Sequence, residues 1–364
     1  MQTNDYVATA RILKSDADNF NYDRDLNTYK EYIDDEELII KSLKKLLEKN
    51  KFEVYVAKNG QDAIVMANEE KFDLIHAETF YVMPHIPKTD IPILLVEQTI
   101  EYLVYKHFAD KFRIPFIKHM LYLDVWKMRF WELKYWQKAK KIAAMSQDDK
   151  KSMLFQHSNL DVDIVPNGVD SEFFSKKVTE KSNEPIILYV GNFTWLQNRE
   201  AVNILVSKIW PQIKDKIPNC KLWIVGKDAK DFFSRLQSDD IRVEEVADVR
   251  SAYQKASLLV APIYGGGGTR YKNLEAFASG LPVVTTSIGI EGIDVKHGQE
   301  LLIRDKYSDI ADGAIELINN PKLYKEIAEN AKRLVKEKYS WEPIAEKLSD
   351  IYKLLGKGSD ENSN

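Results

Sequence analysis

Apolar positions along the chain follow two different rhythms, one for each half. In the first half, Leu38, Ile39, Leu43, Leu46 and Leu47 recur at helical spacing behind Asp34, Asp35, Glu36 and Glu37, acids that suit a helix N-terminus. Residues 52–57 (FEVYVA) predict a strand, Asn59-Gly60 a turn, and the stretch to about Glu70 a second helix. Residues 72–76 and 92–96 read as further strands, so the order predicts βαβ units and a parallel sheet. A short strand before Ser146, a helix capped by Ser146, and a strand at 163–165 follow, closing in the turn sequence 166–170 (PNGVD). In the second half the strands are short and strongly apolar: 185–190, 221–225, 241–243, 256–263 and 283–286. Each leads into glycine or a helix, which predicts a doubly wound parallel sheet with its ligand at the carboxyl ends of the strands. Helices at 308–318, 322–338 and 341–355 complete the pattern.

Stretches without periodicity set the expected boundaries. Residues 1–33 read as a mobile tail, with a short amphipathic helix at 6–13 as the alternative. Residues 34–170 form the first α/β domain, 171–184 a polar linker, 185–338 the second domain, and 357–364 a frayed tail. Between 108 and 141 the chain turns aromatic and basic: Trp126, Phe130, Trp131, Tyr135 and Trp136 recur at helical spacing among Lys127, Arg129, Lys134, Lys138, Lys140 and Lys141. One reading is a core-facing helix with a solvated basic side; the other is peripheral contact with anionic lipid or a lipid-linked molecule.

Composition narrows the class. With 364 residues, 44% hydrophobic and 30% charged, the chain has room for two cores. A net charge of −4 offers no electrostatic case for nucleic acid. The single cysteine, Cys220, reads as a core thiol in a reducing compartment. The first twenty residues show no apolar signal region, and no run reaches the roughly 18 apolar residues that span a bilayer. The expected location is cytoplasmic, with the inner face of the membrane as a peripheral station.

The most informative stretch is 265–280, GGGGTRYKNLEAFASG, lying between an apolar run (SLLVAPI) and the β-branched run at 283–286. Strand, glycine loop, helix and strand aim backbone amides and a helix N-terminus at an anion. Arg270 and Lys272 add two cations at that pole, and Glu275 follows one turn later. The combination suits a sugar nucleotide, with pyrophosphate at the loop and hydroxyls at the acid.

From about residue 72 to 355 the chain resembles glycosyltransferase family 4, retaining enzymes of the GT-B fold. PNGVD (166–170), YVGNFTW (189–195), IVG (224–226), the run 265–286, GIEGI (289–293) and YSW (339–341) carry the resemblance. It implies an α/β GT-B architecture, two Rossmann-like doubly wound domains facing across a cleft, with a helix at 339–356 returning to the N-terminal domain. The donor, a nucleotide-diphospho-sugar, falls to the C-terminal domain, and a glycan or lipid-linked acceptor of the cell-envelope polysaccharide kind to the N-terminal one. Carried over by position, Arg270 and Lys272 bind the donor pyrophosphate and Glu275 the ribose, while Gly191, Asn192 and Glu291 line the donor pocket. Where relatives place a sugar-reading glutamate this chain has Gly267, so the amides of Gly266, Gly267, Gly268 and Thr269 take that role. Asn192 and Asn198 stand where many relatives have arginine and lysine. His76 and Glu97, at strand ends, are the candidates to orient the acceptor hydroxyl. No metal or other cofactor is implied; the Asp-x-Asp matches at Asp16/Asp18 and Asp161/Asp163 lie in the tail and in a strand.

The segment 34–75 also resembles the first part of a response-regulator receiver domain, with Asp34 and Asp35 as its acidic pair. That match ends at Ile75, no phosphoacceptor aspartate follows, and the segment is expected to supply two βα units. Relatives begin with an apolar strand and a glycine-rich loop that do not occur before Asp34. The alternative function is therefore a non-catalytic or impaired sugar-nucleotide binder.

Overall fold

The computed structural model describes residues 10–14, 44–45, 48–49, 52–57, 65–66, 72–110, 114–265 and 268–356. The chain divides into two compact units, Met1–Pro166 together with Trp341–Asn364, and Asn167–Ser340.

The first unit holds a six-stranded sheet in the order β2-β1-β3-β4-β5-β6. Its strands are β1 (Ala10–Lys14), β2 (Glu53–Ala57), β3 (Leu74–Glu78), β4 (Ile93–Glu97), β5 (Lys141–Ala144) and β6 (Val162–Ile164). Strands β3 to β6 are parallel, whereas β1 runs antiparallel to both β2 and β3. This corrects two expectations: residues 1–33 are not all tail, and the sheet is mixed. ARILK is too short to carry a period of its own, and it becomes a strand because β2 and β3 offer backbone partners on both sides. The same strand overlaps and displaces the amphipathic-helix reading of 6–13. Asp34 and Asp35 lie outside the described residues.

Successive residues of β3 to β5 alternate between the sheet faces. Ile75, Ala77, Leu95, Ile142 and Ala144 pack with Tyr135 and Trp136 on one side. Leu74, Leu94, Val96 and Ala143 pack on the other with Ile344, Leu348, Ile351 and Leu355 of the helix Trp341–Gly356. The helix Pro115–Trp136 sends Val125, Tyr135 and Trp136 inward, yet leaves Trp126, Phe130 and Trp131 exposed. Its outer side is therefore aromatic as well as basic.

The second unit has an all-parallel sheet in the order β12-β11-β10-β7-β8-β9. The strands are β7 (Ile186–Val190), β8 (Lys221–Val225), β9 (Ile241–Glu244), β10 (Leu258–Ala261), β11 (Val283–Thr285) and β12 (Leu302–Ile303). Ile187, Tyr189, Leu222, Ile224, Leu258 and Val260 serve one apolar layer. Leu188, Val190, Trp223, Val225 and Leu259 serve the other. Both faces are covered, which is why these strands read as continuous apolar runs. Cys220 is buried in the first of these layers, and burial pushes its thiol up to about 11.

Residues 171–184, expected as a linker, belong to this unit. The helix Ser171–Ser175 buries Phe174 against Tyr253 with ring centroids 5.9 Å apart, and Ser182 donates its backbone N–H to the Lys255 carbonyl at 3.2 Å. The unit boundaries accordingly fall at Pro166/Asn167 and Ser340/Trp341, not at 170/171 and 338/339. Of the adjacent pair Phe173 and Phe174 only the second is buried, and a single pair in a polar stretch carries no periodic signal.

The helix Trp341–Gly356 supplies a whole apolar layer to the first unit, so a cavity in it should be costly. Leu348→Ala is expected to lower stability by about 2–5 kcal/mol in denaturant unfolding; an unchanged midpoint would mean that the helix contributes little to that core.

Candidate functional site

The winding of the second sheet reverses between β7 and β10, the point at which an open parallel sheet leaves a crevice beyond its carboxyl ends. The chain turns sharply there. Gly226, after β8, has φ 144°, and a Cβ on it would sit 1.9 Å from the Gly191 carbonyl oxygen. Gly191, after β7, donates its N–H to the Val225 carbonyl at 3.0 Å. A Cβ on Gly191 would in turn stand 3.0 Å from Cγ of Asn198. Glycine at both positions lets the two strand ends close on each other and on Asn198.

Asn198 lies in the helix Leu196–Ile204 and acts as a hub. Its Nδ2 donates to the Asn192 carbonyl at 2.8 Å, and its Oδ1 accepts from the Tyr189 hydroxyl at 2.9 Å and from Lys272 Nζ at 2.7 Å. The Asn192 side chain is spent inside its own turn, where Oδ1 accepts from the Thr194 N–H at 3.0 Å and hydroxyl at 2.8 Å. The two asparagines therefore brace the loop after β7 and the Lys272 ammonium.

Beyond β10 the glycine loop leads into the helix Tyr271–Ala278. Gly266 and Gly267 lie outside the described residues; Gly268 has φ 76° and Arg270 occupies the cap position. Arg270 donates to the Gly265 carbonyl at 3.1 Å. Burial lowers its pKa, against the electrostatic pull of Glu291. Gly292, at φ 83°, brings the GIEGI turn under the loop, and a Cβ there would lie 3.0 Å from Thr269 Oγ1. That hydroxyl is buried and has no hydrogen-bond partner among the described residues. Asn273 ties the helix to the same turn through Nδ2 to the Gly289 carbonyl, 2.8 Å.

Lys272 carries the strongest electrostatic signature. Its ammonium donates to the Tyr189 hydroxyl at 3.1 Å and lies 4.3 Å from the centroid of that ring. Burial, and then the like charge of Arg270, push it down to about 7, against the pull of Glu275. Glu275, one turn along the helix, accepts a 2.5 Å hydrogen bond from the Tyr253 hydroxyl. Burial drives the Tyr253 pKa well upward, and Glu275 adds to it, so the phenol stays a donor. Thr269, Arg270, Lys272, Glu275 and Glu291 thus come together around one loop and helix start, with Gly191 and Asn192 below. Sequence reading missed Tyr189 and Tyr253. Tyrosines inside apolar runs look like filler, and the available signal was that each buried hydroxyl needs a partner.

His76 and Glu97 belong to the first unit, and both are 1% exposed. His76 Nδ1 lies 2.5 Å from the Tyr352 hydroxyl, and Nε2 lies 3.2 Å from Glu78 Oε1. Glu97 accepts from the Trp136 indole N–H at 3.1 Å; burial raises its pKa well above the usual range, and Glu132 raises it further. Each is engaged inside the unit and closed to solvent, whereas a residue that orients an acceptor hydroxyl must reach it. Asp161 and Asp163 bind Lys141 Nζ at 2.7 and 3.1 Å and serve as an ion pair. Among the described residues no three His, Cys, Asp or Glu side chains are grouped as a metal site requires.

The α/β fold of this chain has solved counterparts. The structure is similar to that of Anabaena Alr3699/HepE in complex with UDP, with a TM-score of 0.63 at 15% identity, covering 80% of this chain and 81% of that one. The fold is GT-B. Residues 184–320, from the start of the second sheet through the whole of the loop and helix just described, match the family described as Glycosyl transferases group 1. Among curated proteins the chain is similar to an uncharacterised 44.6 kDa protein in the cps region of Klebsiella pneumoniae, 28% identical over 178 residues, 46% of this chain and 45% of that protein. It is also similar to the capsular polysaccharide biosynthesis glycosyltransferase CapM of Staphylococcus aureus, 26% identical over 212 residues, 53% of this chain and 54% of that protein. The chain spans about half the length of the curated relatives it matches.

Because Gly226 combines a positive φ with backbone contact, Gly226→Ala is expected to cost at least about 2 kcal/mol and to spread the two strand ends apart. Denaturant unfolding measures the cost; a neutral substitution would show that the close approach is not required.

Proposed function

We propose that this chain is a retaining glycosyltransferase that takes a nucleotide-diphospho-sugar as donor and a glycan or lipid-linked hydroxyl as acceptor. The observation that carries the reading is the pairing of Arg270 with Lys272 at the start of the Tyr271–Ala278 helix, inside the stretch matching Glycosyl transferases group 1. Two half-buried cations that repel each other are stabilised by a bound anion, and a diphosphate supplies the opposing charge. The UDP bound to the similar Anabaena protein makes UDP the first probe.

The chemistry follows from where charge develops. The bond from sugar C1 to the diphosphate oxygen breaks, and its electron pair leaves on the diphosphate. Arg270, Lys272 and the helix N-terminus stabilise that charge without rearranging. The acceptor oxygen bonds to C1 on the face that the diphosphate leaves, and its proton passes to the departing phosphate oxygen. Glu275, held by Tyr253, accepts from ribose hydroxyls, and Thr269 Oγ1 is available as a donor in the loop. No protein nucleophile enters this scheme. The burial of His76 and Glu97 favours the second reading, a sugar-nucleotide binder without turnover. Transfer of isotope-labelled sugar separates the two: donor binding with neither transfer nor donor hydrolysis supports the binder.

Arg270→Ala and Glu275→Ala should each weaken UDP binding, by about tenfold to a hundredfold for the arginine, where a charge-assisted contact is lost. Calorimetry measures both, and unchanged affinity in both variants would overturn the donor-site reading.

The state of Lys272 adds a pH signature. A bound diphosphate restores its proton, so above about 7, where the free ammonium titrates, binding takes up a proton and affinity falls as pH rises. Below that pH the lysine is charged in both states and the dependence flattens. The slope should disappear in Lys272→Met, and a slope that persists there would mean that another group is responsible.

A further inference from the structure

The helix Pro115–Trp136 is apolar on two opposite sides, and only one of them faces the core. Val125, Tyr135 and Trp136 are buried in the first unit, and Glu132 reaches inward to accept the N–H groups of Glu101 and Tyr102 at 2.8 and 3.0 Å. On the far side runs a ridge at steps of four and three residues: Phe116, Met120, Leu123, Lys127, Phe130 and Lys134. Phe116 is 75% exposed, Leu123 62% and the adjoining Trp126 63%, far more than a helix needs when its outer side is simply solvated. The neighbouring helix Glu101–Asp110 adds exposed Leu103.

The charges interleaved with this ridge are almost all of one sign. Lys127 and Lys134 sit on the ridge itself and Lys138 just beyond the helix end; the one exposed acid on the helix, Asp124, lies 3.6 Å from Lys127 Nζ, in a chain whose net charge is −4. Lys134 Nζ lies 4.5 Å from the centroid of the Trp131 ring and Lys138 Nζ 5.5 Å from that of Tyr135, so the ammonium groups rise alongside aromatic stems. Basic residues at the height of tryptophan rings, over a row of Phe, Met and Leu, match the layering of an anionic bilayer surface, with phosphates outside and acyl chains beneath. At 1.5 Å per residue the 22-residue helix is about 33 Å long and lies in the interface; among the described residues no helix is long and apolar enough to cross a membrane. A second copy of the chain is a poorer occupant, because a two-fold pairing of this face sets lysine ridge against lysine ridge.

We propose that the outer face of Pro115–Trp136 is a membrane-docking surface that seats the first unit on anionic lipid, with Phe116, Met120, Leu123, Trp126 and Phe130 entering the acyl boundary and the lysines meeting lipid phosphates. Donor and acceptor play no part, so the proposal stands or falls independently of the assigned chemistry.

The test uses the full chain and vesicles of phosphatidylcholine containing about 30 mol% phosphatidylglycerol, at about 0.15 M salt, against vesicles of phosphatidylcholine alone. The protein should co-sediment with the anionic vesicles and its tryptophan emission should shift to the blue. Trp126→Ser with Phe130→Ser should reduce partitioning by about tenfold or more, and Lys127→Glu with Lys134→Glu should reduce it on anionic vesicles, each with an unchanged melting temperature. Absence of binding by the folded wild-type protein overturns the proposal. So does binding that Trp126→Ser with Phe130→Ser leaves intact, which would be charge adsorption alone. A dimer that dissociates in that variant, with no vesicle binding in the parent, assigns the face to a second copy instead.

Discussion

The constraint on which the second unit depends is that its sheet is covered on both faces. Strands β7, β8 and β10 send alternate residues into two apolar layers, and nearly every one of those positions is closed to water. Polar groups can then appear only where strands end, and the reversal of winding between β7 and β10 gathers those ends. The loop after β10 is consequently both the place where anion-binding groups can be exposed and the place where they are held by a rigid frame. Gly191 and Gly226 make the frame tight, since one Cβ more would force the strand ends apart.

Within that frame, the site is braced by hydrogen bonds among its own side chains. Asn198 holds the Lys272 ammonium from one side and the Asn192 turn from the other, Tyr253 holds Glu275, and the GIEGI turn lies under Thr269. The consequence is electrostatic. Burial and the nearby Arg270 bring Lys272 to about 7, so a surface-type lysine becomes a group whose charge follows what is bound beside it. Helix start, paired cations and the Tyr253-bound acid form one device because they belong to one loop and one helix.

The first unit follows a different logic. Its histidine and glutamate at strand ends are closed in by Tyr352 and Trp136, and its amphipathic character is turned outward, along Pro115–Trp136. A helix apolar on two sides has no single preferred face, which is why its sequence fits both a core helix and an interfacial one. The core face is the one with Val125, Tyr135 and Trp136, while Phe116, Trp126, Phe130 and Trp131 stay in contact with solvent.

How far the residues alone could reach follows from the range of each interaction. Strand runs, the glycine loop, Arg270, Lys272 and Glu275 were legible because burial pattern, turn chemistry and helix position act over a few neighbouring residues. The strand Ala10–Lys14, the anchoring of Phe174 and the unit boundaries were not, because each depends on partners tens or hundreds of residues away. The same holds for the site residues. That Asn192 and Asn198 brace the loop, that Tyr189 and Tyr253 complete it, and that His76 and Glu97 are enclosed are outcomes of packing across separate strands and helices. Local sequence names the charges at the loop; only the folded chain settles which are buried, what holds them, and so what their pKa becomes.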